Sequence, residues 1–306
     1  MASLPAPRLR DIARRVALRG SPPESCQTWT TRSRISRSAF VDVPWAVVPV
    51  ILGAAASRPR CRAGGNVPSD RTLVVNADDF GQSPGVNRGV LRAHEHGVVT
   101  SASLMVCWPS SAAAADSARA YPRLSAGLHV DLGEWTLEDG AWIPRYQRVQ
   151  PDDGHAVAAE VDRQIEAFRR LVGTDPTHLD SHQHVHLHEP ARGILLRAAR
   201  DLGIPLRRIT PAVAYCGDFY GQMDDGSPIP GALTVERMIA ILEGLPPGIT
   251  ELACHPGEGD DIDGTYRVER KEELRVLCDP RVRAAISSLG IELYSFGELP
   301  KQLHTI

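Results

Sequence analysis

From residue 71 onward, short apolar and β-branched runs alternate with longer segments of helical period, and this alternation constrains the fold more than any other feature of the chain. Strand, helix and strand recur about seven times, which predicts an α/β fold with about seven parallel strands. Strands are expected at Thr72–Ala77, Ser101–Val106, Ala126–Leu132, His178–Ser181 with the histidines that follow, Leu206–Thr210, Thr250–His255 and Ile291–Ser295. Between them, Ser83 followed by Pro84 reads as a helix N-cap with proline at the first helical position, and Gly97 stops that helix. Val157, Val161, Ile165, Phe168 and Leu171 repeat at spacings of three and four, giving one buried face to a helix over His155–Leu171. Pro190–Leu202 and Thr234–Leu242 carry the same signal. Two features favour a (β/α)-barrel-like arrangement: no Gly-x-Gly-x-x-Gly follows the first strand, and polar residues crowd the strand ends. The segments Gly133–Gly154 and Ala214–Leu233, rich in glycine, aspartate and aromatics, are expected as long loops over one end of the fold.

A length of 306 residues with 42% hydrophobic and 23% charged side chains suits one large globular domain, set here at residues 70–306. The net charge of −3 conceals two unlike segments: residues 1–69 hold 11 arginines, no lysine and three acids, so they carry 11 − 3 = +8 while the remainder carries 23 − 34 = −11. An acidic domain repels phosphate backbones, which disfavours nucleic-acid binding by residues 70–306. Residues 1–69 are expected to be an Arg-, Pro- and Ser-rich extension, either disordered or foreign to the native protein. Their apolar stretch Val43–Ser57 is too short and too proline-broken for a membrane span, which needs roughly 20 apolar residues. Because it ends in Ala-Ala-Ala-Ser, a cleaved N-terminal signal is the alternative to a cytoplasmic location. Six widely spaced cysteines without a Cys-x-x-Cys pair read as reduced thiols of a cytoplasmic protein.

Four polar clusters fall at expected strand ends: NADDFG (Asn76 to Gly81), GLHVDL (Gly127 to Leu132), HLDSHQHVHLH (His178 to His188) and ELACHPG (Glu251 to Gly257). In an extended strand, Asp180, His182, His184 and His186 would project to one face. Such a face is hard to bury as core, and a divalent cation relieves the crowding by taking neutral ring nitrogens as ligands. Alternate strand residues lie roughly 6.5–7 Å apart, so one or two of these histidines can reach an ion and the others stand behind it or touch substrate. His129 and His255 close other strands, and Pro256-Gly257 turns the chain directly after His255. Asp78 and Asp79 cannot both ionise comfortably side by side unless a cation or hydrogen bonds offset the repulsion. With a metal on one, the other is free to accept a proton, while either alone could instead cap the coming helix. One aspartate and two histidines with open positions suit hydrolysis, and such mixed donors accept zinc, magnesium, manganese, cobalt or iron.

In this order, and over nearly all of residues 72–299, the four clusters resemble those of the YdjC-like carbohydrate deacetylases, which include chitooligosaccharide and hopanoid-biosynthesis deacetylases. NADDFG and DSHQHVH are the specific signatures, with GLHVDL between them and CHPG after. The resemblance implies a single deacetylase domain with a (β/α)-barrel-like fold and a divalent metal ion, magnesium or zinc foremost. Its implied substrate is an N-acetylated sugar, either a chitooligosaccharide or an N-acetylglucosaminyl glycolipid. Asp79, His129 and His182 are implied as metal ligands, Asp78 as general base, and His255 as the acid for the leaving amine or as an oxyanion contact. Asp180 would orient a ligand histidine, with His184 and His186 behind the ligands or against substrate. Metal-activated water would then attack the acetamide carbonyl. Trp108, Trp135 and Trp142 are candidates to stack on a sugar ring, against the plainer role of rim or core packing. A homodimer and the lack of an integral membrane segment complete the expectations. Two other readings compete: a hydrolase of a phosphoester or cyclic amide, which asks for cationic side chains at the mouth, and a non-catalytic metal- or sugar-binding module, which would lack the base.

Overall fold

Leu73 to Phe80 are buried without interruption, the mark of a strand covered on both faces, and β1 (Arg71–Phe80) accordingly lies in the interior of a parallel sheet. The computed structural model describes residues 70–301 apart from 260 and 265, so the extension at 1–69 with its apolar stretch lies outside the described residues. After β1 come α1 (Pro84–Glu95), β2 (Ser101–Leu104), α2 (Ser111–Ala120), β3 (Ser125–Val130), β4 (Gly133–Glu138), β5 (Ala141–Gln147), α3 (Gly154–Val172) and β6 (Leu179–Ser181). A 3-10 segment (His182–Leu187) leads to α4 (Ala191–Leu202), β7 (Val213–Cys216), α5 (Val235–Gly244), β8 (Gly248–Cys254), α6 (Val268–Leu277), α7 (Pro280–Ser288) and β9 (Glu292–Leu293).

Seven strands form one curled sheet in the order β6-β3-β2-β1-β8-β7, with β9 joined to the start of β1, and the pairings along it are parallel. This is the expected (β/α)-barrel-like arrangement, in which parallel neighbours require helical crossovers and the helices cover the sheet. Between the edge strands β6 and β7, Leu206 makes a single parallel bridge to Leu179. No helix among the described residues is long and apolar enough to cross a membrane.

The caps explain where the helices start. Ser83 accepts from the Val86 N–H with Pro84 behind it, and Asp153 accepts from the N–H groups of His155 and Ala156. Helix α3 buries Val157, Val161, Ile165 and Phe168, the expected face, and stops at left-handed Gly173. Helix α1 lies so close to the chain after β8 that a Cβ on Gly89 would sit 2.4 Å from Gly257 Cα.

Three expectations about elements are corrected. The histidine run does not continue a strand: β6 ends at Ser181, and the chain coils into the 3-10 segment with left-handed Gln183 and His184. The Leu206–Thr210 strand shrinks to the bridge at Leu206, followed by left-handed Arg208, and the strand proper falls at Val213–Cys216, partly inside the segment read as loop. Within Gly133–Gly154 stands an antiparallel hairpin, β4–β5, whose strands meet at the two-residue turn Asp139-Gly140, both at positive φ. An Asp-Gly pair at such a turn matches the right-handed twist of its strands.

Candidate metal centre and active site

The two aspartates of NADDFG both come within reach of His129 because β1 bulges where they stand. Asp79 has φ +64, and the register with β2 shifts between Ala77 and Phe80. A bulge adds a residue to the strand and re-aims its side chains, and aspartate tolerates the left-handed conformation better than most residues. Gly81 follows at φ +99, where a Cβ would lie 2.8 Å from the Met105 carbonyl oxygen. Asp78 and Asp79 are both buried.

His129 on β3 pairs in register with Asp180 on β6, and its Nδ1–H donates to Asp180 Oδ1 at 2.8 Å. Its Nε2 lies 3.4 Å from Asp79 Oδ1, and His182 Nδ1 lies 3.2 Å from the same oxygen. Asp79 Oδ1 is buried and makes no hydrogen bond, while Arg270 donates to Oδ2. A buried carboxylate oxygen facing two imidazole nitrogens is short of a partner, and a divalent cation supplies one. The donor atoms of Asp79, His129 and His182 all lie within 4.8 Å of one another, so the three fit a common ion. Asp78, His129 and Asp180 form a second group of that size, but Arg207 and Ser103 already occupy its carboxylates.

Arg207 is the polar hub. Its Nη1 and Nη2 meet the two oxygens of Asp78 at 2.6 and 2.7 Å, and Nη2 also reaches Asp180 at 2.8 Å and Glu251 at 2.7 Å. Burial alone would lower the guanidinium pKa, but Asp180, Asp78 and Glu251 together hold it well above the ordinary value. Burial pushes the Glu251 carboxyl up to about 7 against the pull of Arg207. Burial would also raise Asp79, yet Arg270 and the two imidazoles hold it well below the usual carboxylate range. With no metal bound, His129 rises to about 10: burial works against the proton, and Asp180 and its aspartate neighbours overcome it. Five buried carboxylates (Asp78, Asp79, Asp180, Glu251 and Glu273) thus face two buried guanidiniums (Arg207 and Arg270), an imbalance that favours protonated histidines or a cation.

His255, directly after β8, stands beside Asp78, with Nε2 3.8 Å from Asp78 Oδ2 and Nδ1 3.7 Å from Glu273 Oε1. Its backbone N–H donates to Glu273, and its ring is flanked by Tyr220 and Tyr266 at centroid distances of 5.4 and 5.6 Å. Tyr220 stacks on Tyr266 at 4.6 Å and is 39% exposed, so this aromatic pair beside His255 reaches solvent.

The other histidines of the run lie elsewhere. His184 turns to the Tyr215 hydroxyl at 3.2 Å, and His186 is buried between the Ser181 hydroxyl and the Arg207 carbonyl, the latter at 3.1 Å. The left-handed residues Gln183 and His184 rotate the chain, so His182, His184 and His186 do not share the face that an extended strand would give them. Trp135 is buried against Gly133, and Trp108 packs edge-on to Tyr146 while its Nε1 donates to Asp131 at 2.9 Å, so both serve packing. Trp142 sits on the hairpin opposite Leu137. Sequence reasoning assigned no role to Arg207, Glu251, Arg270, Glu273, Glu134 or Tyr220. Glu251 was the visible signal among them, a charge inside an otherwise apolar strand.

Similarities with known proteins agree with this architecture. A family profile described as YdjC-like protein matches residues 72–288. A carbohydrate deacetylase of Geobacillus stearothermophilus is 34% identical over 252 residues, covering 76% of this chain and 99% of that protein. A chitooligosaccharide deacetylase of Serratia marcescens is 34% identical over 258 residues, covering 75% of this chain and 100% of that protein. The crystal structure of an Enterococcus faecalis V583 protein assigned provisionally to cellobiose-phosphate cleavage superposes with a TM-score of 0.58 at 28% identity, covering 74% of this chain and 98% of that one. The profile runs from β1 through α7 and so takes in the aspartate pair, the β3 histidine, the histidine run and the His255 corner: the chain belongs to the YdjC-like family.

Proposed function

We propose that the protein is a metal-dependent carbohydrate N-deacetylase acting on a chitooligosaccharide or an N-acetylglucosaminyl glycolipid. The observation that carries this reading is the orphaned Oδ1 of Asp79 between His129 and His182, next to Asp78 and across from His255. Asp79, His129 and His182 hold the divalent ion, magnesium or zinc. When bound, the ion supplies Lewis acidity for water and for the acetamide carbonyl. Asp78 takes the proton from the attacking water, and Arg207 fixes the direction of its carboxylate by meeting both oxygens. His255 gives a proton to the departing amine; its Nδ1 faces Glu273, which also accepts from the His255 backbone N–H. Because the amine belongs to the sugar, the sugar ring lies on the His255 side, where the partly exposed Tyr220 is the aromatic side chain within reach.

A phosphoester substrate finds less support. It asks for cationic side chains free to meet phosphate, and the two buried arginines of this site are each engaged by carboxylates. The test is acetate release from diacetylchitobiose and other N-acetyl sugars with several divalent metals. Asp78→Asn is expected to lower kcat by about 10²- to 10⁴-fold while metal content, read by elemental analysis, stays at the level of the unaltered protein. Acetate release undiminished in Asp78→Asn would refute the role of base, and no acetate from any N-acetyl sugar would refute the activity.

A further inference from the structure

The two ligand histidines are presented by opposite ring nitrogens, and each outer nitrogen faces a carboxylate of different origin. His129 turns Nε2 to Asp79 and gives Nδ1 to Asp180 on the neighbouring strand. His182 turns Nδ1 to Asp79, and its Nε2–H points to Glu134 Oε2 at 3.4 Å. Glu134 belongs to hairpin β4–β5, and the register of that hairpin shifts between Glu134 and Trp135, a bulge that re-aims the glutamate. Arg145 on β5 reaches its other oxygen at 3.3 Å. The residue after His182 fastens the same place: Gln183 accepts from the Trp135 N–H at 2.9 Å and donates to the Trp135 carbonyl at 2.8 Å.

We infer that Glu134 is a positioning residue of the metal centre: it fixes His182 with Nδ1 inward, so that hairpin β4–β5 supplies the outer wall of the cation site. The inference rests on Asp79, His129 and His182 holding the metal. A carboxylate on the outer nitrogen of a ligand histidine sets its tautomer and raises its basicity, and losing one weakens metal binding by about 10- to 100-fold. Asp180 is buried in the sheet, whereas the Glu134 side chain is 19% exposed on a hairpin, so the two braces differ in rigidity. Linkage then makes the coupling mutual: a hairpin that strengthens metal binding is itself ordered when metal binds.

The experiment titrates metal-free protein with Co²⁺, following affinity by calorimetry and ligand field by visible absorption, in the unaltered protein and in Glu134→Gln. Amide hydrogen exchange over residues 133–147 is followed with and without Co²⁺. The expected result is about 10- to 100-fold weaker binding with a displaced absorption band in the variant, and metal-induced protection of the hairpin in the unaltered protein alone. Equal affinity, or a lower melting temperature of the metal-free variant with affinity unchanged, would overturn the inference. Arg145→Met, which leaves the glutamate in place, is expected to weaken binding less than Glu134→Gln. Failure of the unaltered protein to bind Co²⁺, Zn²⁺ or Mg²⁺ would overturn the metal centre and this inference with it.

Discussion

Arg207 meets Asp78, Asp180 and Glu251 with one guanidinium, and these acids come from β1, β6 and β8. Removing a cation from such a group leaves buried charges without a partner, a loss of about 3–5 kcal/mol. Arg207→Met is therefore expected to lower the melting temperature by about 6–20 °C, at roughly 2–4 °C per kcal/mol for a domain of this size, and a fall below about 3 °C in thermal unfolding would contradict it. Asp78, Asp79, His129, His182 and His255 stood out in the sequence because carboxylates and imidazoles at strand ends are chemically conspicuous. Arg207 did not, since an arginine in a Pro-Leu-Arg-Arg run looks like surface until three distant strands place their acids around it. His184 and His186 leave the face of His182 for a local reason: two left-handed residues break the alternation that an extended strand would keep.

At the scale of elements, helix α1 and the segment carrying His255 touch through two glycines. A Cβ on Gly89 would meet Gly257 Cα at 2.4 Å and Gly257 N at 2.7 Å, and both atoms are backbone that cannot swing aside. Gly89→Ala is expected to push the 255–257 corner outward and lower kcat, by about tenfold if the ring of His255 moves by as little as half an ångström. Steady-state kinetics on diacetylchitobiose checks this, and a variant with unchanged kcat would show that the corner yields freely. Helices were the most legible elements, because caps and a repeating apolar face lie within one segment, as at Asp153 and α3. The hairpin carries its Asp139-Gly140 turn in the sequence, but the glycines, aspartates and aromatics of the segment read as loop, and β5 faces solvent over much of its length. Strand β7 was displaced because only its pairing with β8, a tertiary contact, distinguishes it from its loop.

For the molecule as a whole, the buried histidines set the response to acid. Burial lowers His178 to about 4 and His186 to about 3, so both are neutral in the folded protein. Between pH 6.5 and 4 the unfolded chain binds more protons at these positions than the native one, and stability falls by up to about 1.4 kcal/mol per pH unit per histidine as pH drops. His129 and His182 have the opposite sign in the metal-free protein: their raised values contribute stability that is lost as pH climbs above 6.5. Melting temperature is thus expected to decline from pH 6.5 to 4. His178→Gln, which keeps polar atoms toward Ser103 and Thr177, should flatten that decline, and an unchanged slope would contradict the assignment.

The pairing of β1 with β8 has a consequence for synthesis. Arg71 registers with Gly248, 248 − 71 = 177 residues later in the chain. At about 5–20 residues per second, the ribosome finishes β1 about 9–35 s before its neighbour on the β8 side exists. During that wait the β8-side edge of an apolar run of β propensity is open to other nascent chains on the same message, and charges at the ends of such runs hold off mispairing. Arg71 closes one end of this run and Asp78-Asp79 the other, so the two carboxylates guard the strand before they have a site to build.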